Sequence, residues 1–157
     1  MIGSDTYNPN ALLIGTCQSA QALFHTVFIN ALMAKIWAYI TGRPNTLVDG
    51  AALTKGKKVG SRRNIGIREV QIRQIRGSEG RCEDFDRSFR PRNRNNQGRW
   101  MRLAIAFTQG VPLPAVDLIQ VGNNYIVRDG HHRISVMKAL GGDCIDANVT
   151  VWDLKDE

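Results

Sequence analysis

The segment from residue 125 to residue 142 constrains the fold more than any other part of this sequence. It reads Y-I-V-R-D-G-H-H-R-I-S-V-M-K-A-L-G-G. Tyr125–Arg128 has the pattern of a strand, Asp129-Gly130 is a typical turn, and Ile134, Met137 and Leu140 recur at helical spacing. A strand that turns directly into a helix predicts a domain in which helices pack on a sheet.

The rest of the chain supplies further elements of both kinds. The patterns predict helices over 17–41, 46–53, 98–109 and 131–140, and strands over 68–75, 115–121, 125–128 and 145–152. We therefore expect an α+β fold: a small mixed β-sheet packed with helices, plus an N-terminal helical extension. The extension and a basic linker over Lys55–Gly66 are predicted to span residues 1–66, and the sheet domain residues 67–157.

The turn that starts the predicted helix at residue 131 has the residue types of an anion site. The first N–H groups of a helix lack intrahelical acceptors and carry partial positive charge. Gly130 permits an unusual backbone beside a ligand, Arg133 suits phosphate oxygens, and His131 and His132 add donors. Asp129 can bind magnesium or a hydroxyl. The alternative is a structural turn, with Asp129 as N-cap and both histidines on the surface.

The same segment carries a family resemblance. From about Val70 to Val151 the chain resembles the ParB/sulfiredoxin superfamily (the ParB N-terminal, or ParB-like nuclease, domain) in I-V-R-D-G-H-H-R-I-S-V-M-K-A-L-G and the following I-D-A-N-V. The segments V-Q-I-R-Q-I, G-S-E-G-R and D-F-D are similar to the family's first strand and ligand-side loop. The resemblance implies a ParB/sulfiredoxin-like fold that binds a nucleotide (ATP, ADP or CTP, with or without Mg). Its phosphates would contact Gly130, His131, His132 and Arg133.

Departures from individual members of the family narrow the implied activity. Sulfiredoxins have a catalytic cysteine where this chain has His131, so sulfinic-acid reduction is not expected. ParB proteins that hydrolyse CTP have Gly-Glu-Arg-Arg at the turn and a helix-turn-helix segment after it, so a role in partitioning is not expected either. Relatives that phosphorylate free serine have an Asp-Gly-His-His-Arg-like turn and a glutamate base in the front loop, for which Glu79 is the candidate. The resemblance thus implies a small-molecule kinase or an NTPase.

The loop over residues 77–86 is rich in carboxylates. Phosphoryl transfer needs a base near the accepting hydroxyl or a carboxylate on magnesium. Glu79 and Asp84, together with Asp129, are the candidate catalytic residues if this loop faces the turn. The alternative is a solvated loop whose ion pairs are only local.

Positive charge is concentrated in residues 55–102, which contain three lysines and twelve arginines against five acidic residues. The whole chain has a net charge of +7, which favours an anionic partner. As an alternative function we therefore consider a non-catalytic DNA- or RNA-associated regulator, in which Trp100 and Phe89 stack on bases. The candidate nucleic-acid contacts are Arg90, Arg92, Arg94 and Arg99. An ordinary soluble surface would have the same composition.

The stretch over residues 20–40 is apolar on most faces. His25, Thr26, Asn30 and Lys35 interrupt it, so association with a membrane is predicted to be unlikely. The helix is expected to pack on the sheet as core or to pair with its copy in a homodimer. In a third hypothesis the protein binds no ligand, and it acts as an interaction module through this helix.

Cysteine and histidine spacing bounds the remaining chemistry. The three cysteines have no paired spacing, which favours a reducing compartment and hence a cytoplasmic protein. Neither zinc-type spacing nor a chelating histidine motif occurs, so no metal site is predicted through these residues.

Overall fold

A mixed β-sheet forms the centre of the structure, a computed structural model that describes residues 17–156. Its strands are β1 (Val48–Asp49), β2 (Lys57–Gln71), β3 (Ile75–Ser78), β4 (Val116–Val121), β5 (Asn124–Asp129) and β6 (Cys144–Asp156). They lie in the order β1-β3-β5-β4-β6-β2. The pairs β1–β3, β3–β5 and β4–β6 are parallel, whereas β4–β5 and β2–β6 are antiparallel.

Four helices accompany this sheet within the described residues: α1 (Cys17–Thr41), α2 (Gly50–Leu53), α3 (Gln97–Thr108) and α4 (His131–Ala139). The predicted α+β fold, with a small mixed sheet, packed helices and an N-terminal helix, is confirmed. The predicted bounds of α1 are those observed, and the predictions for α3 and α4 differ from the structure by a single residue at their ends.

One face of the sheet forms the first hydrophobic core. Side chains alternate between the two faces of a strand, and the apolar residues that β4 and β6 bury on this face follow this period. Val116 and Leu118 of β4 and Ala147 and Val149 of β6 pack in this core. Ile134 of α4 belongs to the same cluster, so burial of α4 on the sheet fixes the helix start at the end of β5.

A second core joins the helices to one another. Phe24 of α1 contacts the Trp100 ring of α3 edge-on, with the centroids 5.5 Å apart. Trp100 Nε1 donates a 2.9 Å hydrogen bond to Ser135 Oγ of α4, so the buried indole has a partner. Val136 of α4 completes the contact. Helix α1 is therefore packed against α3 and α4.

The prediction of a linker over Lys55–Gly66 is wrong. Residues 57–71 form the single strand β2, which pairs with β6 and has irregularities between Val59 and Ser61 and between Asn64 and Ile67. The glycines and basic residues that indicated a linker belong to an edge strand that is exposed over most of its length. The predicted boundary between residues 66 and 67 falls inside this strand. Residues 1–16 of the predicted extension lie outside the described residues.

Two further predictions need smaller corrections. Residues 46–53 were expected to be helical, but only Gly50–Leu53 are, and the preceding Val48 and Asp49 pair with Gly77 and Ser78 as a short parallel strand. The strand predicted over 68–75 is divided, because a 3-10 turn over Ile72–Gln74 separates β2 from β3.

Candidate functional site

The amino end of α4 opens into a cleft of about 440 Å³. All five residues predicted at the turn, 129–133, line this cleft. The other residues that line it are Arg81, Arg99, Leu103, Pro114 and Ala115, from the loop after β3, from α3 and from the segment before β4. The turn is thus one wall of a cavity that distant parts of the chain complete.

Gly130 is the residue that makes the turn. Its φ of +102° lies in the left-handed region, which favours glycine. A Cβ at this position would also lie 2.7 Å from Val116 Cβ, because the turn passes directly over β4. Ile134 N–H donates to the Gly130 carbonyl at 3.0 Å, so the helix begins at His131. The N–H groups of its first turn point toward the cleft.

Arg81 and Arg99 bring positive charge to the cleft. The sequence predicted that Arg99 contacts nucleic acid, and it predicted no role for Arg81. Burial, together with the nearby charges of Arg99 and Arg81, lowers the pKa of His132 to about 4. Both arginines line the same cleft as the first residues of α4.

His131 is held by side chains of two other segments. Its Nε2 and Ser78 Oγ are 2.6 Å apart in a hydrogen bond between two buried residues. The Phe85 ring stacks on the imidazole at 5.9 Å between centroids. Burial, together with the nearby charges of Arg81 and His132, lowers the pKa of His131 to about 4. Both histidines are therefore neutral at pH 7, and neither is the surface residue of the structural-turn alternative.

Arg133 is bound within the protein. Its Nη1 donates to the Pro114 carbonyl at 2.8 Å and to the Ala115 carbonyl at 2.7 Å, and its Nη2 donates to Asp129 Oδ2 at 2.6 Å. Only 15% of the side chain is exposed. The guanidinium thus fixes the segment before β4 against the turn, and its charge is balanced by Asp129.

The three candidate catalytic carboxylates lie in different surroundings. Asp129 lines the cleft, with 65% of its side chain exposed. Asp84 lines an adjoining cleft that shares Arg81, and it accepts a 3.2 Å hydrogen bond from Asn93 Nδ2. Glu79 lies outside the residues that line the cleft at α4, and its Oε2 is 3.2 Å from Arg128 Nε. The structure therefore brings Asp129, and not Glu79, into the cleft.

The four arginines predicted to contact nucleic acid do not share one surface role. Arg90 is bound to the buried carboxylate of Asp86 at 2.8 Å, and Arg92 to Glu83 at 3.1 Å. Arg94 lies over the Phe28 ring of α1, 5.2 Å from its centroid. Arg99 lines the cleft instead.

The prediction that Trp100 and Phe89 stack on bases is wrong. Both side chains are buried, Trp100 between the helices and Phe89 in the core beneath the sheet. Both rings belong to the hydrophobic cores. The surrounding sequence is rich in arginine, and for that reason it indicated an exposed, nucleic-acid-binding surface. Within residues 17–156, no three His, Cys, Asp or Glu side chains are grouped as metal ligands.

Comparison with solved structures finds a similarity to a sulfiredoxin. The chain is similar to the crystal structure of sulfiredoxin from Arabidopsis thaliana, with 23% sequence identity and a TM-score of 0.41. The similarity covers 53% of this chain and 82% of that chain. No family model matches the chain, and no curated protein matches it. The functional inference therefore depends on the residues of the cleft.

Proposed function

We propose that the cleft at the amino end of α4 binds the phosphate groups of a nucleotide. The observation that supports this most directly is that Arg81 and Arg99 line the same cleft as the start of α4, where the helix amides also point. Guanidinium groups suit phosphate because they offer several donors in one plane.

The charge balance of the cleft favours an anion. Asp129 and Arg133 form an ion pair and cancel, and both histidines are neutral at pH 7. Arg81 lies 4.0 Å from Asp84 in a half-exposed ion pair, so Arg99 supplies most of the excess positive charge of the cleft. The partial charge of the α4 amides has the same sign, so an anionic group is the ligand that these residues stabilise together.

The rest of the cleft suits the organic part of a nucleotide. Its volume of about 440 Å³ lies within the range of about 300–1,000 Å³ that is usual for small-molecule sites. Leu103, Pro114 and Ala115 provide an apolar wall beside the charged groups. In this arrangement the phosphates lie at α4 and the base lies against the wall.

We further propose that the bound nucleotide reacts, by phosphoryl transfer or by hydrolysis. Asp129 is then the carboxylate that contacts magnesium or the accepting hydroxyl, because it lines the cleft and is largely exposed. Glu79 is less suited to the role of base, since it pairs with Arg128 outside the cleft. Turnover of a bound nucleotide by the wild type, lost in Asp129→Asn, would test this form.

Thermal unfolding with ATP, ADP, CTP and GTP, each with and without magnesium, tests nucleotide binding. A ligand at about 100 times its Kd should stabilise the native state by about 2.7 kcal/mol. Arg99→Ala and Arg81→Ala should reduce this stabilisation. Arg102→Ala is the matched control, because Arg102 is an exposed arginine of the same helix that does not line the cleft. If no nucleotide raises the midpoint, or if Arg102→Ala loses as much as Arg99→Ala, the proposal fails.

The salt dependence of binding distinguishes the alternative function, a DNA- or RNA-associated regulator, from nucleotide binding. A nucleic acid that contacts many phosphate-binding residues loses affinity steeply as salt rises, whereas one enclosed nucleotide loses it only gradually. Titration of a single-stranded and a duplex oligonucleotide at several salt concentrations distinguishes the two. Binding that survives Arg99→Ala but falls steeply with salt would favour the alternative.

A further inference from the structure

Helix α1 carries two apolar stripes. The first consists of Ala20, Phe24, Val27 and Ala31, which recur at helical spacing and are buried against α3 and α4. Beyond Ala31 the helix continues for ten more residues, to Thr41, none of which is buried. The carboxyl-terminal part of α1 therefore extends past the core that holds its first part.

The second stripe lies on the opposite side of the helix and faces solvent. Ile29, Leu32, Met33, Ile36 and Ile40 follow the spacing of one helical face and are 47–69% exposed. At about 1.5 Å per residue the stripe is about 16 Å long. Large apolar side chains that are exposed side by side mark an interaction surface.

Aromatic and basic residues border this stripe. Trp37 and Tyr39, which are 66% and 90% exposed, lie on the same part of the helix. Lys35 lies in a small groove with Leu32 and Arg92. Arg94 lies over the Phe28 ring, and Arg43 follows the end of α1.

The border of the stripe carries net positive charge. Arg92 is bound to Glu83, so the excess charge comes from Lys35, Arg43 and Arg94. The sequence of α1 itself contains no aspartate or glutamate. An apolar face with tryptophan, bordered by basic residues, is the pattern of helices that lie in the surface of a bilayer.

We propose that the second stripe of α1 docks on an anionic lipid bilayer, with Ile36, Trp37 and Ile40 in the interface. The basic residues at its border contact the lipid headgroups. Because polar residues interrupt α1, the sequence alone predicts that association with a membrane is unlikely. The structure separates the two stripes and leaves the large apolar side chains of Ile29, Leu32, Met33, Ile36 and Ile40 on the outer one.

A surface orientation fits the structure better than a membrane span. Helix α1 has the length and hydropathy of a span, with a mean hydropathy of 1.4, and it is the only such helix among residues 17–156. Insertion of the whole helix would remove Phe24 and Ala20 from the core that they share with Trp100. Docking of the outer stripe leaves that core intact.

A second copy of the chain is the competing occupant. Pairing of two α1 stripes would bring the basic borders of both copies together, and like charges across an interface are destabilising. Anionic headgroups complement the same charges. The charge at the border therefore favours a bilayer over a homodimer.

Co-sedimentation with vesicles tests the proposal. The full chain is mixed with vesicles of phosphatidylcholine alone or of phosphatidylcholine with phosphatidylserine, and tryptophan emission is recorded in parallel. We expect binding to the anionic vesicles, with a blue shift that is absent in Trp37→Phe. Ile40→Gln should weaken partitioning into anionic vesicles by about tenfold, because the variant loses the favourable transfer of the isoleucine side chain from water into the bilayer interface. Ile67→Gln is the matched control, because both isoleucines are 69% exposed and Ile67 lies on β2.

Two further experiments test the role of the basic residues and the competing homodimer. Lys35→Gln combined with Arg94→Gln should reduce binding to anionic vesicles, whereas Arg68→Gln on β2 should not. Equal binding to both kinds of vesicle would overturn the role of charge. Failure to bind vesicles, or equal losses in Ile40→Gln and Ile67→Gln, would overturn the docking surface. A dimer that Ile40→Gln dissociates, without vesicle binding, would assign the stripe to a second copy instead.

Discussion

Ser78 and His131 are joined by a 2.6 Å hydrogen bond between their side chains, although 53 residues separate them in the sequence. Ser78 Oγ also accepts a 3.1 Å hydrogen bond from the Arg81 N–H. One buried hydroxyl thus positions both a histidine at the start of α4 and the loop that carries a cleft arginine. This contact connects the stability of the fold with the geometry of the cleft.

Replacement of Ser78 by alanine should therefore destabilise the protein. His131 Nε2 and the Arg81 amide would lose their partner, and an unsatisfied buried group costs about 1–3 kcal/mol. Urea unfolding measures the loss. Ser61→Ala is the control, because Ser61 is bound to Asp153 at an exposed position, where substitutions change stability by about 0.5 kcal/mol or less. Equal losses in the two variants would show that the Ser78 hydroxyl has no special role.

Acid should weaken the fold in a defined range of pH. The pKa of each cleft histidine is lowered from 6.5 to about 4, so the unfolded chain binds protons that the folded chain does not. The unfolding free energy is then highest above pH 6.5 and falls as the pH decreases toward 4. The two shifts correspond to a loss of up to about 3 kcal/mol for each histidine.

Denaturant unfolding of the wild type at several pH values in this range measures the slope. His131→Asn and His132→Asn should each flatten it, because the substituted side chain no longer binds a proton. A wild-type stability that is constant between pH 6.5 and 4 would contradict the burial of neutral histidines.

Gly130 should tolerate no side chain. Alanine there would adopt a left-handed backbone, which costs about 1–2 kcal/mol, and its Cβ would overlap Val116, which adds about 1–3 kcal/mol. Gly122→Ala separates the two effects, since Gly122 also has a positive φ of 58° but has open space around it. Thermal unfolding should show a clearly larger loss for Gly130→Ala. Similar losses would mean that the turn can move away from β4.

The regular elements of the fold could be predicted because their burial follows a simple period. Helix α3 has buried Trp100 and Ala104 four residues apart, and β6 buries Ile145, Ala147 and Val149 in alternation. The first half of β2 shows no such period. It is an edge strand whose residues are mostly exposed, and charged residues are usual on edge strands because they prevent further pairing.

The candidate site could be predicted only where it is local in sequence. The turn residues 129–133 all line the cleft as expected. Arg81 enters the cleft from a loop about 50 residues earlier, and its position depends on the hydrogen bond to Ser78. Likewise, the pairing of Glu79 with Arg128 follows from the parallel alignment of β3 and β5. Neither relationship has a signature in a single sequence.

Arg133 should contribute more to stability than to the charge of the cleft. Arg133→Ala would remove the donors to the Pro114 and Ala115 carbonyls and the partner of Asp129. Hydrogen bonds to charged groups are worth about 1.5–3 kcal/mol, so we expect a loss of at least that size. Arg128→Ala is the control, since its ion pair with Glu79 is about half exposed and such pairs contribute about 0–1 kcal/mol. A stable Arg133→Ala protein that no longer binds nucleotide would instead assign Arg133 to the phosphates.

Helix α1 should unfold together with the sheet, because the two share the helices α3 and α4. Phe24 is buried against Trp100, and removal of such a ring typically costs about 3–5 kcal/mol. Phe24→Ala should lower the midpoint of one cooperative transition seen both by far-ultraviolet circular dichroism and by tryptophan emission. Phe28→Ala, at a half-buried position on the same helix, should cost less. If Phe24→Ala instead melts a helical segment before the rest of the protein, α1 is a unit separate from the sheet, as the sequence predicted for the helical part of the extension.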